Sequence, residues 1–117
     1  MIATRQLPVE VLQELANEFA AGLSARAAVM REAIDEIDRG VATDAAQRLH
    51  LTAHSLAGTA SAFGASELVP HAERLESLGK AWLHGTSVKK AGVAEARRAL
   101  KSLTAAIRTV ADRLRTR

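Results

Sequence analysis

AAQRLHLTAHSLAGTASAFG, residues 45–64, carries a helix that can be drawn from its residues alone. At about 100° per residue, Ala45, Leu49, Ala53, Leu56, Ala60 and Phe63 fall on one stripe, within roughly 40° of Leu49. That stripe is the face that turns to a core. His54 lies about 140° from it and Gly58 about 180°, both toward solvent. Leu51, Ser55, Ser61 and Ala62 share the outer half. The imidazole therefore stands off the helix, with Leu51 before it and small residues after it. A glycine inside a helix costs roughly 1 kcal/mol relative to alanine. Gly58 thus calls for a reason at the surface: a bare patch where another protein's active site can reach an exposed imidazole.

The same periodicity extends on both sides. Upstream, Leu12, Leu15, Phe19, Leu23, Ala27, Met30, Ile34, Ile37 and Val41 form a continuous seam at spacings of three and four. Pro8 suits a first helical turn, and the segment reads either as one long helix or, the reading preferred here, as a short capping segment and a bundle helix kinked or broken near Gly22. Gly40 ends this segment as a C-cap, and Thr43 or Asp44 opens the next as an N-cap. Gly64 closes the histidine helix. Ser66 opens a third, with Leu68, Ala72, Leu75, Leu78 and Trp82 inward, and Pro70 delays or bends its start. His84 to Ser87 form a loop, with Thr86 or Ser87 capping a last helix that turns Val93, Ala96, Leu100, Leu103, Ile107, Val110 and Leu114 inward. Helices are expected at approximately 8–39, 43–63, 66–84 and 87–115. Four amphipathic segments with short links predict an all-α, antiparallel up-down four-helix bundle in a single domain over 1–117.

The run from Ala53 to Ala60, followed by Phe63, Gly64 and Ala65, resembles a histidine phosphotransfer (HPt) domain. Gly58 and Gly64 match the glycines that follow the family's histidine, and Leu75-Glu76 matches its Leu-Glu pair in the next helix. The departure is Ala57, where many members carry a lysine thought to help hold the phosphoryl charge. The resemblance implies that His54 is a phosphoacceptor. It would take a phosphoryl group from the aspartate of a response-regulator receiver domain and pass it to another receiver. A hybrid sensor kinase is a further partner of this kind. Glu76 is implied to hold the second ring nitrogen, fixing the tautomer. The alternative for Glu76 is an ordinary exposed glutamate or a surface ion pair. Ser55, Ala57, Gly58, Ser61, Ala62, His50 and Leu51 would form the docking surface around His54. No cofactor is expected on this chain, since Mg²⁺ and most charge-stabilising groups belong to the receiver. A monomer is expected.

Composition sets the outer bounds. A chain of 117 residues buries roughly 65% of its unfolded surface, enough for a core without staples. Apolar residues make up 48% and aromatics 3%, so alanine, leucine and valine fill the interior of closely packed helices. The chain has no cysteine, which excludes disulfides and thiolate metal sites and fits a reducing compartment. The net charge of +3 is concentrated late, at Lys89, Lys90, Arg97, Arg98, Lys101, Arg108, Arg113, Arg115 and Arg117. These read as a solvated helix face or as a steering field for an acidic partner. No aromatic residue interleaves with them, so neither nucleic acid nor membrane is expected as a partner. No apolar run approaches the roughly 18 residues of a membrane span. Arg5, Glu10 and Glu14 interrupt any signal-like stretch, so a soluble, cytoplasmic protein is expected.

His50 lies one turn before His54. The pair has a spacing that can hold zinc, but a site needs a third ligand. The nearest candidates, His71 and Glu73, lie on the next helix, and no glutamate follows His50. No metal site is expected, and His50 is a polar flank of the docking surface or has no role. His71 and His84 read as surface or loop residues, and Trp82 as core or rim packing. Two further readings stay open. One is an HPt-like module that binds or inhibits a partner without phosphorylation. The other is the substrate domain of a chemotaxis-type kinase, against which Ala57 counts because those relatives generally keep lysine there. The chain has no nucleotide-binding motif, so a carrier of this kind draws its phosphoryl group from a partner.

Overall fold

Four apolar stripes at helical spacing leave water together only by packing on one another. The computed structural model describes residues 8–41 and 43–115, the side chain of Thr43 excepted. They form α1 (Val9–Asp38), α2 (Thr43–Ala62), a short 3-10 turn (Ser66–Leu68), α3 (Val69–Leu83) and α4 (Lys90–Arg115), with no strand among the described residues. α1 packs on α2, α2 on α3, α3 on α4 and α4 on α1, while neither diagonal pair meets. Cross-links at both ends show neighbours running antiparallel. Phe19 stacks on Phe63 and Arg48 pairs with Glu36 between α1 and α2. Gln13 donates to the Leu114 carbonyl, and Arg97 pairs with Asp35 and Asp38, between α1 and α4.

The core holds no polar or charged residue among the described positions. On α2, Ala45, Leu49, Ala53, Leu56 and Ala60 are buried, and Phe63 is half-buried with its ring centroid 4.8 Å from that of Phe19. The seam of α4 is buried from Val93 to Leu114 at every inward position. α1, α2 and α3 end alike. Gly40, Gly64 and Gly85 take φ values of +89°, +69° and +99°. Each following N–H then reaches back to close the last turn: Val41 to Glu36, Ala65 to Ala60 and Thr86 to Ala81. Arg113 ties the α2–α3 turn to α4 by bonding both Glu67 oxygens and the Gly64 carbonyl. Its hydrogen bonds, with a backbone hydrogen bond, hold the Glu67 carboxyl down at about 2. The stabilisation from this pair is present above the ordinary carboxylate range and fades as pH falls through about 2.

Several expectations need correction. α1 runs as one helix through Gly22, without a break. Phe19, Leu23 and Ala27 are buried on both sides of the glycine, and their packing outweighs its helix cost. Leu12, Leu15 and Val41 are exposed instead of inward. α1 outruns α2: Phe19 already sits opposite Phe63, past the end of α2, so residues before it have only the last turns of α4 beside them. Val41 lies in the link after Gly40. Leu78 is half-buried. The start of α3 is delayed: a 3-10 turn precedes it, and Pro70 occupies the first helical turn, where a missing N–H costs nothing. α4 begins at Lys90, so neither Thr86 nor Ser87 caps it, and the Val93 N–H closes the first turn on the Lys89 carbonyl. α2 begins at Thr43, so Asp44 sits in its first turn instead of capping it, and the side chain of Thr43, the other cap candidate, lies outside the described residues.

Candidate functional site

His54 stands on the α2–α3 edge of the bundle, and 70% of its side chain is exposed. Its position follows from the stripe opposite it, which is buried from Ala45 to Ala60. Its Nδ1 lies 2.7 Å from Oε2 of Glu76 on α3. An ionised carboxylate only accepts, so Nδ1 carries the proton and donates it. In the neutral ring this leaves the lone pair on Nε2. It makes no hydrogen bond to any described residue.

Glu76 reaches His54 because α2 and α3 approach closely one turn away. Gly79 is buried on the face of α3 that meets α2. A Cβ placed there would lie 2.8 Å from the His50 backbone nitrogen and 3.1 Å from the Ala46 carbonyl oxygen. Only glycine lets the two backbones come this near. From this contact, one turn forward on α2 reaches His54 and about one turn back on α3 reaches Glu76. Glu76 is 23% exposed, held between the interface and solvent. Gly79 is a functional position that the sequence expectations do not include. Its signal was present: a glycine continuing the inward series Ala72, Leu75 and Trp82 at helical spacing.

The remaining expected residues divide into two groups. Leu51, Ser55, Gly58, Ser61 and Ala62 are exposed beside His54, and a Cβ at Gly58 would meet nothing within 4 Å. His50 and Ala57 are half-buried toward α3, so they contribute less of the outer surface than expected. The His50 ring lies 6.3 Å from that of His54, and its Nδ1 is buried without a hydrogen-bond partner. Among the described residues, no three His, Asp or Glu side chains are grouped to hold a metal ion. The hydroxyls of Thr59 and Ser61 bond back to the carbonyls of Ser55 and Ala57. The rim therefore offers shape more than donors. On the opposite flank of α2, Arg26 and Val29 of α1 join Leu51, Thr52 and Ser55 around a shallow hollow. These α1 residues were invisible in the sequence, because which part of α1 flanks His54 depends on the register between helices.

An exposed imidazole with one nitrogen held by a carboxylate and the other free is a nucleophile with a set tautomer. No helix of the described residues is long and apolar enough to cross a membrane. No curated protein and no solved structure significantly matches the chain. A family model described as the Hpt domain matches residues 9–116.

Proposed function

The chain belongs to the Hpt-domain family, whose general role is histidine phosphotransfer in phosphorelays, and from this we propose that His54 is the phosphoacceptor. The carrying observation is the 2.7 Å contact between Nδ1 of His54 and Glu76, on a side chain 70% exposed. The phosphoryl donor is the aspartyl phosphate of a docked receiver domain. The Nε2 lone pair attacks phosphorus, an N–P bond forms, and the bond from phosphorus to the aspartate oxygen breaks. The aspartate leaves as a free carboxylate. The Nδ1 proton stays between the ring and Glu76, which balances the positive charge that develops on the imidazole. Transfer to a second receiver runs the same step in reverse.

Positioning and electrostatics dominate phosphoryl transfer. On this chain the positioning comes from Glu76, set by the Gly79 approach, and from the open rim at Gly58. The charge stabilisation, with its Mg²⁺, comes with the receiver. Leu51 is a large apolar side chain 52% exposed beside the imidazole, and it anchors the receiver's docking helix.

The test is transfer from a radiolabelled, phosphorylated receiver domain to this protein and to its His54→Gln variant. The expected result is an acid-labile, base-stable label on the wild type and none on the variant. Equal label on both, or no label from any of several receivers with the fold intact by circular dichroism, would contradict it.

A further inference from the structure

His54 and Glu76 occupy the α2–α3 edge of the ring of helices. The α1–α4 edge is diagonally across from it. There, between the two helices, lies a groove of about 430 Å³, a size typical of small-molecule sites. Its lining includes the buried Leu100 and the half-buried Thr104. Four cations surround it: Arg31 from α1, and Arg97, Lys101 and Arg108 from α4. No acidic residue lines it.

The four cations differ in what holds them. Arg97 bonds to Asp35 at 2.8 Å and Asp38 at 3.2 Å, which pins α4 to α1 at one end of the groove. Arg31, Lys101 and Arg108 have no ion-pair partner among the described residues. Elsewhere on the surface, Arg48, Arg74 and Arg113 each meet a carboxylate. Three unneutralised cations converging from two helices on one concavity repel one another, and a bound anion relieves that repulsion. Arg31 and Arg108 present guanidinium forks, which match phosphate oxygens in pairs, and Lys101 adds a compact charge to the same groove. Lys101 and Arg108 are seven residues apart, about 10 Å along the helix. A single phosphate does not span that distance, but a short phosphate chain with flexible side chains around it does. The lining has no aromatic ring on which a base would stack.

We propose that this groove binds an oligophosphate, recognised by Arg31, Lys101 and Arg108 through the charge of its phosphates. Inorganic oligophosphate and the phosphate chain of a nucleotide share this chemistry. Because the groove and His54 lie on opposite edges, both can be occupied at once. The site therefore does not depend on the phosphotransfer role.

Calorimetric titration of the full chain with inorganic tripolyphosphate, in about 0.15 M salt, tests this. At that salt, charges beyond ~8 Å are largely screened. Saturable binding with one ligand per chain is expected. The exposed double variant Lys101→Glu/Arg108→Glu is expected to bind at least about tenfold more weakly, the loss of one or more charge-assisted hydrogen bonds. Lys89→Glu/Lys90→Glu changes net charge equally, about 16 Å or more along α4 from Lys101, and is expected to bind like wild type. His54→Gln is expected to bind like wild type as well. ATP binding comparable to tripolyphosphate, with AMP far weaker, points to the phosphate chain from either source. Tripolyphosphate alone binding points to the inorganic source. Unsaturable binding, equal weakening by both double variants, AMP binding as tightly as ATP, or tighter binding of short duplex DNA through the same residues would overturn the proposal. Circular dichroism of each variant checks the fold.

Discussion

His50 and His54 sit one turn apart on the same helix, yet their surroundings treat them oppositely. His54 projects past the α2–α3 contact, with 70% of its side chain in solvent and one nitrogen held by Glu76. His50 lies against Gly79 where the two backbones come close, half-buried, with a buried Nδ1 that has no hydrogen-bond partner among the described residues. The two glycines divide in the same way. Gly79 is where the helices touch, and Gly58 faces open space. The two histidines share a side chain and a helix, but not their surroundings. His54 lies further round the helix from the buried stripe and meets Glu76, while His50 is packed against α3 at Gly79.

Substitution at each of these four positions can break or sharpen that contrast. The largest effect is expected at Gly79. Gly79→Ala drives a methyl into the α2 backbone, where relief requires the helices to move apart. It is expected to lower stability by about 1–3 kcal/mol, read by urea denaturation. It should also slow transfer, because Glu76 is carried away from His54. Unchanged stability would mean that the close approach is not a constraint. Next is Glu76→Ala, which leaves the fold intact but frees the ring and its tautomer. Transfer is expected to fall about tenfold, the loss of one hydrogen bond to a charged group. Full activity in this variant would reduce Glu76 to a bystander.

Gly58→Ala should work in two directions at once. With nothing within 4 Å of its Cβ, it is expected to stabilise the helix by up to about 1 kcal/mol. It should also weaken receiver docking, seen as a raised KM for the phosphorylated receiver. A stabilised variant with unchanged KM would leave the glycine without a functional reason. His50→Gln is expected to have the smallest effect, with label transfer at the wild-type rate. Loss of transfer there would erase the distinction between the two histidines.

Much of this was legible in the residues. The buried stripe of α2, the seam of α4 and the glycines that end α1 and α2 are local patterns, set by a 3.6-residue period and by φ values that only glycine takes easily. His54's exposure follows from the same arithmetic. The features that escaped depend on relations between helices. Leu12 and Leu15 continue a good apolar seam, but the seam has no way to record that α2 stops at Ala62. Gly22 favoured a break over one long helix because its local cost is visible, while the packing that overrides it is not. Gly79 reads as an ordinary helix glycine until the second helix is in place. Arg26 and Val29 flank the site only through interhelical register. Glu76 stands between these cases: no spacing rule connects residue 54 with residue 76, and it was singled out through family resemblance alone.

If Glu76 holds Nδ1 of His54, Nε2 is left to accept phosphorus. Nitrogen-phosphorus NMR on the ¹⁵N-labelled chain, phosphorylated by its receiver, tests this directly. The expected result is a phosphorus coupling to Nε2 of His54 that disappears in His54→Gln and persists in His50→Gln. Coupling to Nδ1 of His54, or to either nitrogen of His50, would contradict it.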